Sequence, residues 1–128
     1  MEQEPIRQFI EAMRDSVSSL GRRVCYIASA DLAHVGLQFG DQEGVGEYDL
    51  RIFAEGDQAM LGHVERCDGE GFFSSISKER DRRRICGLPS IYTLLKTMEA
   101  KEGRLLKYGQ AFTPDTQSVV TFASLAFY

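Results

Sequence analysis

The chain has 128 residues, 43% of them hydrophobic and 27% charged, with 15 Lys and Arg against 19 Asp and Glu for a formal net charge of −4. That length holds one domain, residues 1–128, whose folding buries roughly two-thirds of the extended surface and leaves about 6,800 Å² exposed. The acidic balance opposes nucleic-acid and membrane partners, no apolar run reaches the length of a bilayer span, and three cysteines without a leader point to the reducing cytoplasm.

Ile6, Phe9, Ile10, Met13, Val17 and Leu20 recur at helical spacing and predict an amphipathic helix of about five turns. Gly21 is its expected left-handed terminator. Residues 24–28, VCYIA, are rich in β-formers and read as a strand buried on both faces, with Cys25 as inert core. Residues 29–49 carry Gly36, Gly40, Gly44 and Gly46 among acids and read as a long exposed loop, a kind of segment that is often functional. A second helix is expected near 57–64, with Met60, Leu61 and Val64 on one face; Phe72, Phe73 and Ile76 continue it after a glycine interruption. The stretch 78–84, KERDRRR, is charged, and its arginines read as solvated. Gly87-Leu88-Pro89 opens a third helix running through Leu95 and Met98 to Gly103, since proline is tolerated in a first turn. Residues 105–112 and 119–128 read as strands about a turn at Pro114 and Asp115. The last strand is nearly continuous in apolar and small residues and belongs at a sheet centre. The fold class is α/β, a mixed sheet with helices packed on both faces.

Two segments could carry chemistry. Ser29-Ala30-Asp31-Leu32-Ala33-His34 lies where the first strand should end, the position at which open α/β sheets bind ligands. On a helical turn Asp31 and His34 would share a face, and the carboxylate could fix the imidazole tautomer. Their plain structural alternative is a turn cap and a satisfied local histidine. Cys86 follows Arg82-Arg83-Arg84 and precedes a helix, two features that stabilise a thiolate for nucleophilic, redox or metal-ligand use. Its plain alternative is a small buried hydrophobe. His63 and Cys67, four residues apart, are two ligands without partners and read as structural.

These segments, with Tyr108 and the closing VVTFA strand, resemble the Memo family, called AmmeMemoRadiSam system protein B in bacteria and archaea. The resemblance runs from the first helix to Tyr128 and is to the C-terminal half of a family member. It implies an α/β fold similar to class III extradiol dioxygenases, which bind non-haem iron. It implies a pocket in which Asp31, His34 and Cys86 are the catalytic candidates, with His34 and Cys86 as metal ligands for Fe, Cu or Zn. Any activity would then be a dioxygenase-related, metal- or thiol-dependent redox reaction, incomplete in this chain alone. Two further family histidines, from the N-terminal half, have no counterpart here. The implied partners are therefore an N-terminal Memo half or a second chain completing the pocket, and a phosphopeptide or small-molecule ligand. In the phosphopeptide reading, Arg82, Arg83 and Arg84 receive the anion. Val35 stands where the family commonly has an aromatic residue, and Ser90 where it has proline.

Overall fold

The first helix, α1, spans Glu4–Leu20 in the computed structural model, which describes residues 3–128. Met1 and Glu2, within the stretch read above as leader-free, lie outside the described residues. Pro5 sits in the first turn of α1, and Gly21 ends it at φ 60, as the spacing predicts. Among the apolar residues of α1 only Ile10 is buried; Phe9 stays 56% exposed.

Residues 24–28 depart from expectation. They are extended but hydrogen-bond to no strand, and Val24, Cys25 and Ile27 are exposed, so Cys25 is not core. The composition dictates an extended conformation; it does not supply a neighbour to pair with. The first pairing strand is β1, His34–Val35, followed by a 3-10 turn over Leu37–Phe39.

Helix α2 spans Glu47–Glu65 and begins well before the expected position near 57. The cause is local. The Asp49 carboxylate accepts the Gly46 N–H at 2.8 Å, and Glu47 and Asp49 both complement the positive helix start. Cys67 at φ 55 breaks the chain before α3, Gly69–Lys78, which is a separate helix rather than a continuation. The Asp68 carboxylate caps α3 by accepting the Gly71 N–H at 2.8 Å. Helix α4 covers Leu88–Thr97 and stops short of Gly103, because Met98 turns extended.

Strands β2, Gly103–Thr113, and β3, Ser118–Phe127, form the hairpin the Pro-Asp turn predicts. The sheet order is β1-β3-β2 with antiparallel pairing throughout, in the register His34↔Val120 and Gly109↔Phe122. The last strand is thus central and the chain combines α and β as expected, but the sheet is antiparallel rather than mixed, because the tight Pro-Asp turn returns β3 beside β2 and β1 runs against β3. Met60, Leu61 and Val64 of α2 pack with Phe72 and Ile76 of α3, and the same core holds Leu32 and Ala33. No helix among the described residues is long and apolar enough to cross a membrane.

Candidate functional site

The three residues marked from sequence sit on two segments that are sewn together through their backbones. Leu32 N–H donates to Thr121 O at 2.8 Å, Thr121 N–H donates to Ala33 O at 3.0 Å, and Ala33 N–H donates to the Thr121 hydroxyl at 2.9 Å. This holds 32–33 against β3. On the opposite edge, His34 N–H donates to Arg83 O at 2.7 Å and Cys86 N–H to Leu32 O at 3.3 Å. Asp31, His34 and Cys86 therefore sit on neighbouring backbones although 55 residues separate Asp31 from Cys86.

Residues 31–34 are extended, not a helical turn. Side chains three apart on an extended chain point to opposite faces, so Asp31 does not orient His34. Another group does that job. His34 Nδ1 lies 3.1 Å from Leu32 O, and a carbonyl only accepts, so in the neutral ring Nδ1 carries the proton and Nε2 keeps its lone pair. The ring also meets Phe39 edge-on, with centroids 5.2 Å apart. The Asp31 side chain is exposed and hydrogen-bonds to none of the described residues.

Cys86 is exposed rather than buried, and its thiol points to Asp31 O at 3.6 Å. Gly87 is what permits this approach, because a Cβ there would stand 2.5 Å from Asp31 O. The close approach is to the chain's own backbone. Beneath this junction lies an apolar cavity of about 190 Å³, walled by Ala30, Leu32, Leu61, Val64, Ile91 and Leu125.

The arginine run behaves differently from a solvated stretch. Arg83 is 5% exposed and Asp57 0%, and the two form an ion pair. Arg83 also reaches Glu79, with Nε to Oε2 at 3.0 Å and Nη2 to Oε1 at 2.5 Å. Tyr108 donates to the other Asp57 oxygen at 2.6 Å, and Gln110 donates to Tyr108 Oη at 3.2 Å. Burial, and then the adjacent Asp57 carboxylate, push the Tyr108 phenol well above its ordinary range. Gly56 leaves room for the guanidinium, since a Cβ there would sit 3.1 Å from Arg83 Cζ. This network bolts the backbone that carries Arg83 O, and through it His34, onto α2. Sequence reading missed it; Gly56 beside Asp57 was its only local sign.

Arg84 pairs with Asp41 through contacts of 2.5 and 3.1 Å and donates to His34 O at 3.2 Å. Two of the three arginines expected to meet an anion are thus already held by carboxylates. The Arg84 guanidinium, then the Gly36 N–H, hold the Asp41 carboxyl below its usual range. A folded pKa below the unfolded one means the stabilisation is complete above about pH 4 and is lost as pH falls through the depressed value. Urea midpoints of the native chain and of Arg84→Met should therefore differ at neutral pH and converge at low pH. A constant gap would show that the loss is packing rather than charge.

His63 and Cys67 do not combine. His63 Nδ1 lies 3.0 Å from Asp68 Oδ2, while burial pushes the Cys67 thiol up. No group of three or more His, Cys, Asp or Glu among the described residues is placed to hold a metal ion. His34 and Cys86 offer donors that iron, copper or zinc accept, but two donors fall short of a protein-made site. The residues present do not by themselves fit such a centre.

Comparison with known proteins bears on the whole chain. A family model described as Memo-like protein matches residues 2–126. A protein named "MEMO1 family protein" from Aquifex aeolicus (strain VF5) is 30% identical over 105 residues, covering 80% of this chain. The aligned region is 26% of that relative, so the chain spans about a quarter of its length.

Proposed function

The chain belongs to the Memo-like protein family, and from that premise we propose that it is a pocket protein of the AmmeMemoRadiSam system protein B type with a partial ligand site. Asp31 and Cys86 stand together at that site, His34 lies on the adjoining backbone with its ring on the other face, and a second polypeptide completes it. The observation that carries this reading is the junction of the 31–34 segment with the Cys86 turn, packed so closely that a Cβ at Gly87 would stand 2.5 Å from Asp31 O. Such a close approach leaves no room for a side chain at Gly87, and it sets the exposed Cys86 thiol 3.6 Å from the Asp31 carbonyl oxygen. The chemistry available is a nucleophilic or metal-seeking sulfur, a histidine with its Nε2 lone pair set by Leu32 O, and an acceptor-only carboxylate.

Titrating the purified chain with Fe²⁺, Cu²⁺ and Zn²⁺ tests the site. Two donors predict affinity no tighter than about micromolar. His34→Ala and Cys86→Ser should each lower it at least about tenfold, one lost ligand being worth more than 1.4 kcal/mol. Undiminished binding in either variant would remove that residue from the site.

A further inference from the structure

We propose that Lys78, Arg80 and Arg82 line an anion site, separate from the Asp31 and Cys86 junction, that takes a compact phosphoryl dianion. The three side chains border one open cleft of about 300 Å³ at the end of α3, with Glu79 between them. All three are exposed, and none pairs with an acid among the described residues. Glu79 and Asp81 stand among these cations in the sequence, but the fold engages both elsewhere. The Glu79 oxygens accept from the buried Arg83 at 2.5 and 3.0 Å, and Asp81 Oδ1 accepts the Ile85 N–H at 2.8 Å. Arg84 in turn is held by Asp41. The five cations of residues 78–84 thus divide by role: Arg83 and Arg84 hold the fold, while Lys78, Arg80 and Arg82 keep their donors for a ligand.

The second observation is the backbone that presents them. Arg80 and Asp81 are consecutive left-handed residues, at φ 54 and 49. Residues other than glycine rarely adopt that conformation, and it persists where the surroundings fix it. Here Arg80 N–H donates to Ser77 O and Asp81 N–H to Ile76 O, both at 3.0 Å, which closes the end of α3. Arg82 N–H donates to Glu79 O at 3.2 Å, and the next residue, Arg83, is clamped by Asp57 and Glu79. The turn is therefore ordered before any ligand arrives, which lowers the entropic cost of binding.

Charge and size select the ligand. Three cationic groups, two of them guanidinium forks, suit an anion with more than two oxygens and more than one charge, which is a phosphoryl group rather than a carboxylate. A long polyanion is disfavoured, because the adjoining cleft, which Arg82 also borders, carries Asp41 and Glu43 in a chain of net charge −4. The site borrows nothing from the Asp31, His34 and Cys86 reading, so either can fail without the other.

Titrating the ¹⁵N-labelled full chain with inorganic phosphate at constant ionic strength tests the proposal. The amide signals of residues 78–82 should shift and saturate. Lys78→Gln, Arg80→Asn and Arg82→Gln should each weaken binding about threefold, the scale of one exposed charge pair, and the triple variant should abolish saturation. Asn is chosen at position 80 because it tolerates left-handed backbone, so the circular dichroism spectrum should stay that of the native chain. Arg104→Gln, at an exposed position on β2, should leave binding unchanged. Glycerol phosphate in a second arm identifies the source: tighter binding than phosphate assigns the group to a small monoester, and equal binding assigns it to free phosphate, both supporting the site. Shifts that never saturate, or that sodium chloride reproduces, overturn the proposal. So does saturable binding that survives in the triple variant. A phosphoserine peptide bound at least about tenfold more tightly than either small anion overturns the compact ligand and gives the cleft to a protein partner.

Discussion

Replacing Asp57 with alanine should destabilise the fold by about 3–5 kcal/mol, because it strands a buried arginine. Arg83 is almost wholly enclosed, and its neighbours are Asp57 on α2, Glu79 after α3 and, through Asp57, Tyr108 on β2. Removing the carboxylate leaves Glu79, itself partly exposed, as its remaining anion and robs the Tyr108 hydroxyl of its acceptor. In a domain whose total stability is about 5–15 kcal/mol, that loss is a large share. Equilibrium urea unfolding measures it. The pair, rather than the packing, is at fault if Asp57→Leu with Arg83→Met recovers much of the deficit, as apolar replacement of both charges allows. A double variant no better than Asp57→Ala would mean that shape, not charge, is what the site requires.

Gly36→Ala should cost about 3 kcal/mol or more, from a backbone region open essentially to glycine alone together with a clash. Gly36 lies at φ 122, and a Cβ would stand 2.5 Å from Gln117 O and Ser118 Cα, which are backbone atoms and cannot swing aside. The residue follows β1 directly, so its displacement is felt at His34. Its N–H donates to Asp41 at 2.8 Å, and its carbonyl accepts from Phe39 and Asp41. Thermal unfolding should show the loss, and the His34 and Val35 amides should exchange faster than those of the β2–β3 hairpin. A Tm within a degree or two of the native chain would contradict the steric argument.

What could be read from sequence was local. The closure of α1 at Gly21, the hairpin about Pro114 and Asp115, and the central place of β3 follow from period, turn chemistry and apolar runs. The start of α2 was missed because acids and glycines from 40 to 49 look like a loop, although Asp49 three residues after Gly46 is a cap signal. What failed to show was non-local. Asp57 and Arg83 are 26 positions apart, and charge composition does not reveal which arginine of three will be buried. The run 24–28 disclosed its conformation but not its want of a hydrogen-bonded neighbour. Asp31 and Cys86 came together through resemblance to the Memo family; spacing alone suggested a helical turn that the chain does not make.

The pairing of β1 with β3 also orders events in time. The β2–β3 hairpin closes across a few residues, while the bond from Ala33 to the Thr121 hydroxyl closes a span of 88. Loop-closure entropy makes the longer span costlier by about 2.5 kcal/mol. The hairpin is therefore placed to form early and to act as the template, and the strand bearing His34 docks onto it late. The same asymmetry runs backwards on opening, so the segment that bears His34 is held to the hairpin across a long loop of chain and is placed to detach first.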